Sequence, residues 1–237
     1  PLFLQIVYGV SAQSSGLRML PLMAGLLVAS IVSGRVISKI GRYKVFPIAG
    51  TATLVVGMYL LSLLRVGTAP WLASVYMLVV GVGIGLVMQV LVLVVQNDVP
   101  PGQIGVATST ATFFRSVGGS FGVAIFGSIF ATRLADQLAQ FPAAVTSHLG
   151  GGVHLNPEQA DRLPPAIHTD FLQAFAHALH GVFLFGMALA AVPFLLSWLL
   201  KEVPLRTTVA GPQPSPPSAA EIPAGDDEDR VRAARAH

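Results

Sequence analysis

Residues 71–95 run WLASVYMLVVGVGIGLVMQVLVLVV, with no charged side chain and a single amide, Gln89. A helix rises about 1.5 Å per residue, so roughly 20 such residues cross a hydrocarbon layer about 30 Å thick. One centred Lys, Arg or Asp costs about 2.5–3.5 kcal/mol on insertion scales, so freedom from charge over this length is informative. The stretch is expected to span a membrane. Four others have the same character: 17–34 with Arg18 at its edge, 45–64, 112–131 with Arg115 near its start, and 181–200. Buried helices of a water-soluble protein could explain one such stretch, but not five in a single chain. Residues 2–10 are apolar but too short to span, and are expected to be the last turns of a helix that began earlier.

Composition agrees. Hydrophobic residues make up 53% of the 237 positions and charged residues 11%, against about 25% charged in an ordinary soluble domain. The mean hydropathy is +0.70. The formal net charge of +3 is carried by few, scattered basic residues, which suits an orientation signal better than nucleic-acid binding. With no cysteine, the chain has no disulfide, thiol catalysis or thiolate metal site. It opens on Pro1, with no basic segment before a short apolar core. We therefore expect no signal peptide, and a chain that is part of a longer protein.

The expected class is an all-α integral membrane protein with five full transmembrane helices and an N-terminal helix stub. Residues 1–200 would form the membrane bundle. Arg35, Lys39, Arg42 and Lys44 crowd the connection between the first two spans, with no acid among them. Basic residues near span ends favour the cytoplasm. Placing that loop inside puts Arg115, Lys201 and Arg206 inside too, and Arg18, Arg65, Arg133 and Arg162 outside. The expected location is the cell membrane, multi-pass, with a cytoplasmic C-terminal tail over 201–237. That tail holds six prolines between Pro204 and Pro223, then Asp226, Asp227, Glu228 and Asp229, a composition of solvated disorder.

Residues 132–180 are expected to form a long extracytoplasmic connection, with Gly150, Gly151 and Gly152, then Pro157, Pro164 and Pro165, and a short helical turn over 159–163. His148, His154, His168, His177 and His180 fall here. His177 and His180 share a helix face at i, i+3 spacing, but no third ligand joins them, so no metal site is expected.

Gly81, Gly83 and Gly85 do not make a nucleotide-binding loop, because Leu86 breaks the pattern and the run lies inside a span. Glycines in a span let two helix backbones approach closely. The same role is expected of Gly118, Gly119 and Gly122 in the fourth span, with Gly127 nearby.

Polar groups in the spans are few. Gln89 and Gln96 lie seven residues apart on one face, with Asn97 beside them and Gln5 on the stub. Amides at membrane depth need partners, so these are expected to face protein or a substrate path. Asp98 and Arg115 flank one connection and could pair as an inner gate. No Asp or Glu lies within any of the five spans, and no nucleophile–histidine pair or carboxylate pair is present. The chain is not expected to be an enzyme or to need a cofactor.

The connection from Gly34 to Lys44, GRVISKIGRYK, resembles the basic signature loop of the major facilitator superfamily, matching it at Gly34, Lys39, Gly41 and Arg42. Ser38 stands where that pattern has an acid, so no charge relay through this position is implied. Three further stretches resemble the fourteen-helix drug:proton antiporter family. These are LQIVYGVS from Leu4, GLVMQ from Gly85, and QNDVP from Gln96 followed by GVAT at Gly105 and RSVGGS at Arg115. The resemblance covers about residues 2–200. It implies the ninth to fourteenth helices of that family, the second bundle of a major facilitator fold, whose two bundles rock about a central cavity. It further implies export of drugs or other amphipathic small molecules by proton antiport in a bacterial membrane. The implied partners are membrane lipid, a small-molecule substrate, the proton gradient and the amino-terminal half of the same transporter, with no nucleic acid. The alternatives are a narrow-substrate metabolite or antibiotic exporter, or a non-transporting membrane protein that binds a partner through its glycine faces. A membrane-embedded enzyme comes last, for want of a polar cluster.

Overall fold

A computed structural model describes residues 2–139 and 165–199 of the chain. His148, His154, the glycine run Gly150–Gly152, the turn over 159–163, Arg162 and the tail 201–237 lie outside the described residues.

All regular structure among the described residues is helical. The order is α1 (Leu2–Tyr8), α2 (Ala12–Leu17), α3 (Leu20–Ile40), α4 (Val45–Ser62), α5 (Pro70–Asp98), a 3-10 turn (Pro101–Gln103), α6 (Ile104–Leu138) and α7 (Pro165–Leu199). Five helical stretches are long and apolar enough to cross a membrane: Ala12–Ile40, Val45–Ser62, Pro70–Asp98, Pro101–Leu138 and His168–Leu199. The chain is an all-α membrane protein.

The helices differ from the apolar stretches at their ends, because polar residues outside the hydrocarbon can still extend a helix. The first apolar stretch, 17–34, divides at a break between α2 and α3. Arg18 ends α2 and Met19 precedes α3, with Pro21 in the first turn of α3, while Ser11 caps the start of α2, its hydroxyl accepting from the Ser14 N–H. Most of the Gly34–Lys44 connection is not a loop. Helix α3 continues to Ile40 and ends on Gly41, whose φ of 73° is the left-handed conformation that glycine adopts at a helix C-terminus. The Gly41 N–H donates to the Ile37 carbonyl at 2.8 Å. The connection expected over 132–180 is likewise shorter, since α6 runs on to Leu138 and α7 begins at Pro165.

Packing does not follow chain order. Helix α5 lies between α3 and α4, α4 also packs on α7, and α7 on α6, while α6 touches α5 more sparingly. The buried face of α3 is Gly25, Ala29, Ser33 and Ile37, one residue per turn and mostly small. Met23, Leu27, Val28, Ile31 and Val32 of the same helix are exposed, as a lipid-facing side requires. The densest apolar core gathers at one end of the bundle. Phe3, Leu4 and Ile6 of α1 meet Leu61 and Leu64 near the end of α4, Ala73 of α5, Leu134 of α6, and Phe171, Leu172 and Phe175 of α7. The Phe130 and Phe175 rings meet edge to face at 5.4 Å. Thus the α1 stub is held by packing, and its Gln5 amide donates to Ser15 Oγ at 2.9 Å.

The buried Thr51, Ser62 and Ser197 hydroxyls are satisfied within their own helices. Thr51 donates to the Pro47 carbonyl at 2.6 Å, Ser62 to Tyr59 at 2.6 Å and Ser197 to Pro193 at 2.6 Å. A hydroxyl without a partner at this depth would be costly, and the carbonyl three or four residues back is always in reach.

Candidate functional site

The glycine run of α5 acts on two neighbours at once. Successive residues of a helix turn by about 100°, so Gly81 and Gly85 lie about 40° apart, while Gly83 points to the opposite side. The packing follows this geometry. A Cβ on Gly81 would strike the Leu22 carbonyl of α3, and one on Gly85 the Leu26 carbonyl and the Ala29 side chain. A Cβ on Gly83 would instead meet α4, 2.8 Å from the Leu54 nitrogen and 3.0 Å from the Gly50 carbonyl oxygen. Ser30 of α3 reinforces the first contact by donating to the Gly85 carbonyl at 3.0 Å.

The facing glycines were not singled out from the sequence. They are Gly25, which would place a Cβ 2.6 Å from the Leu78 oxygen, Gly50 against Gly83, and Gly57 against Val80. Their signal was present as small residues spaced by four or seven: Gly25, Ala29 and Ser33 on α3, and Gly50 and Gly57 on α4. Gly118, Gly119 and Gly122 behave differently. A Cβ added at any of them meets nothing within 4 Å, and the same holds for Gly127. The close packing expected there is not made among the described residues. Phe113, Phe114, Phe121 and Val123 around them are exposed as well.

Of the polar residues singled out from the sequence, Gln89 is half-buried and lies across α3. A Cβ on Gly34 would stand 3.4 Å from Gln89 Cγ and 3.5 Å from its Nε2. Gln89 therefore joins the start of the signature segment to the middle of α5. Gln96 is exposed and Asn97 half-buried near the end of the same helix. Arg35, Lys39 and Arg42 are exposed, Lys44 is half-buried and Tyr43 between them is buried. The Ser38 hydroxyl donates to the Gly34 carbonyl at 2.9 Å, which turns it back on its own helix. Tyr43 was missed because an aromatic among four basic residues reads as a solvated loop.

Asp98 and Arg115 do not meet: among the described residues no ion pair joins them. The physical reason is the early start of α6. Arg115 lies three turns inside that helix, well beyond the 3-10 turn that follows Asp98. It borders a cleft of about 400 Å³ between α5 and α6. Met88, Leu91, Val92 and Val95 form one wall, and Thr108, Ala111, Thr112, Phe114 and Arg115 the other. The Thr108 hydroxyl is buried there without a hydrogen-bond partner in the structure. The cleft is thus mainly apolar, with two hydroxyls and one guanidinium along a single wall.

A second cavity, of about 470 Å³, opens at the other end of the bundle between the turn after α4 and the first half of α7. His177 and His180 border it, their ring centroids 6.2 Å apart. Among the described residues no group of three or more His, Cys, Asp or Glu is placed to hold a metal ion.

Similarity to known proteins agrees with this architecture. The family described as Major Facilitator Superfamily matches residues 1–123. An uncharacterized MFS-type transporter of Mycobacterium tuberculosis is 44% identical over 209 residues, which covers 86% of this chain and 30% of that protein. The multidrug transporter protein MdtP of Bacillus subtilis is 31% identical, covering 93% of this chain and 45% of MdtP. A tetracycline resistance determinant of Streptomyces rimosus is 29% identical, covering 91% of this chain and 69% of that protein. The chain thus spans less than half the length of the first two relatives. Five apolar helices long enough to cross a membrane among the described residues, together with a family match over more than half of the chain, identify it as a member of the major facilitator superfamily of membrane transporters.

Proposed function

We propose that the chain is the second bundle of an exporter that moves drugs or other amphipathic small molecules out of the cell in exchange for protons. The observation that carries this reading is the α5–α6 cleft. Its apolar walls, one flexible methionine and a few polar groups suit cargo that is apolar in bulk and varied in shape. Multidrug transport and tetracycline resistance, named for two of the relatives, lie in the same chemical range. Gln89, Gln96 and Asn97 are proposed to line the path beside this cleft. Arg115 is proposed to border its cytoplasmic mouth, with the orientation set by the Arg35–Lys44 cluster.

Proton exchange needs a group that alternates between protonated and ionised states. The five apolar stretches contain no carboxylate. We therefore assign the coupling carboxylate to the remaining part of the transporter, the other wall of the path. The exposed Gly118–Gly122 face is proposed to pack against that part, where close approach would let the two halves rock.

The test is efflux of a fluorescent cationic dye from cells that lack their own exporters and express the complete transporter. Dye retention should fall, and a protonophore should restore it. Unchanged retention across a panel of amphipathic dyes would refute the substrate class. Efflux that persists with the protonophore would refute proton coupling.

A further inference from the structure

The cavity beside α7 has a chemistry that transport through the α5–α6 cleft does not use. Arg65, in the turn after α4, faces Gln173, His177 and His180 of α7 across it, above Leu64. Residues 173, 177 and 180 recur at three- and four-residue spacing, which places them on one helix face. Among the described residues the Arg65 guanidinium, the Gln173 amide and the His177 imidazole make no hydrogen bond or ion pair. His180 is anchored: its Nδ1 lies 2.6 Å from the Ser62 carbonyl oxygen. A carbonyl only accepts, so Nδ1 carries the proton and Nε2 is left for another partner. The backbone beneath is fixed too, since the Arg65 N–H donates to Thr68 Oγ1 at 2.9 Å and the Tyr8 hydroxyl donates to the Thr68 carbonyl at 2.7 Å.

We propose that this cavity binds a phosphate oxyanion, with Arg65 as its principal ligand. Its lining residues bring one fixed positive charge, an amide and two imidazoles, and no carboxylate. A guanidinium presents a planar fork that matches two oxygens of such a group. A cation would find one positive charge and no acid on the walls. Other titratable or charged groups around it are Asp170, two turns before His177 on α7, and Arg133 of α6, whose guanidinium lies over Gly181. Tyr8 is engaged by Thr68.

The oxyanion could belong to a free solute or to a phospholipid headgroup, since the cavity lies where α4 ends and apolar Leu64 forms part of its wall. The experiment uses the complete transporter, purified in detergent. Binding of inorganic phosphate is titrated calorimetrically, and retention of phosphatidylglycerol against phosphatidylcholine is read by native mass spectrometry. The expected result is binding in at least one arm, with phosphate pointing to a free solute and phosphatidylglycerol alone to a lipid headgroup. In whichever arm binds, Arg65→Gln should weaken it roughly tenfold or more, with the thermal midpoint of the unliganded protein unchanged. His177→Gln should weaken binding by a smaller factor, since it removes one lining imidazole and leaves the guanidinium in place. Binding in neither arm overturns the proposal, as does binding that the Arg65→Gln, His177→Gln double variant leaves intact. Because the readout is binding, failure of dye efflux would leave this site standing, and the reverse also holds.

Discussion

Gly50 of α4 and Gly83 of α5 face each other so closely that a Cβ on either would lie 3.0 Å from the other's carbonyl oxygen. This reciprocal contact brings the two helices together on one side of α5, while Gly81 and Gly85 bring α3 up on the other. Helix α5 is therefore the shared wall of the bundle. Nothing polar is needed to hold it, because dispersion between close backbones and the loss of lipid from between them supply the contact.

Substitutions along this run should act on stability first. Gly83→Val would force α4 and α5 apart, and Gly81→Val would do the same to α3 and α5. Overpacking costs about 1–3 kcal/mol per site, occasionally more. We expect both variants to lower the thermal midpoint of the purified complete transporter, with Gly83→Val also loosening α4. An unchanged midpoint for both would show that these helices separate without cost.

The glycines of α6 should behave in the opposite way. A Cβ added at Gly118 or Gly122 meets no atom within 4 Å among the described residues. We expect Gly118→Leu and Gly122→Leu to insert and to leave the bundle's own thermal midpoint intact, yet to lower dye efflux by the complete transporter. Normal efflux with leucine at both positions would mean that this face looks into lipid.

Membrane orientation can be read chemically, because the chain has no cysteine of its own. With the Arg35–Lys44 cluster inside, a cysteine replacing Ser147 should react with an impermeant thiol reagent on intact cells. One replacing Ser218 should react only after permeabilisation. The reverse pattern would invert the orientation, and with it the sides assigned to both cavities.

Much of the architecture was legible because a bilayer punishes charge so heavily. The uncharged run around Gln89 marks α5 with no help from periodicity, and the glycines at 81, 83 and 85 mark it as a packing element. Other features were harder to see. Whether a glycine face meets protein in the same chain depends on tertiary placement, which is why Gly83 and Gly118 look alike in sequence and differ in the fold. The end of α3 was misplaced because Gly34 and four basic residues resemble a loop, although the helix takes in Gly34, Arg35 and Lys39 and ends only where Gly41 turns left-handed. Helix α6 was expected to start late because Thr108, Ser109 and Thr110 lower its hydropathy, and this misjudgement made Asp98 and Arg115 look like neighbours. The oxyanion cavity was the least visible, since Arg65 and His180 are separated by 115 positions and only the packing of α4 against α7 brings them to one wall.

The central claim is that this bundle forms one wall of a two-walled path and that the other wall supplies the proton-linked carboxylate. The most direct measurement compares dye efflux in exporter-deficient cells that express this chain alone, the remainder of the transporter alone, or both as separate polypeptides. The account predicts protonophore-sensitive efflux only when both are present, with this chain inserted in the membrane in every case where it is made. Energy-dependent efflux from this chain alone would contradict it, and would point instead to a carrier assembled from two copies of the same bundle.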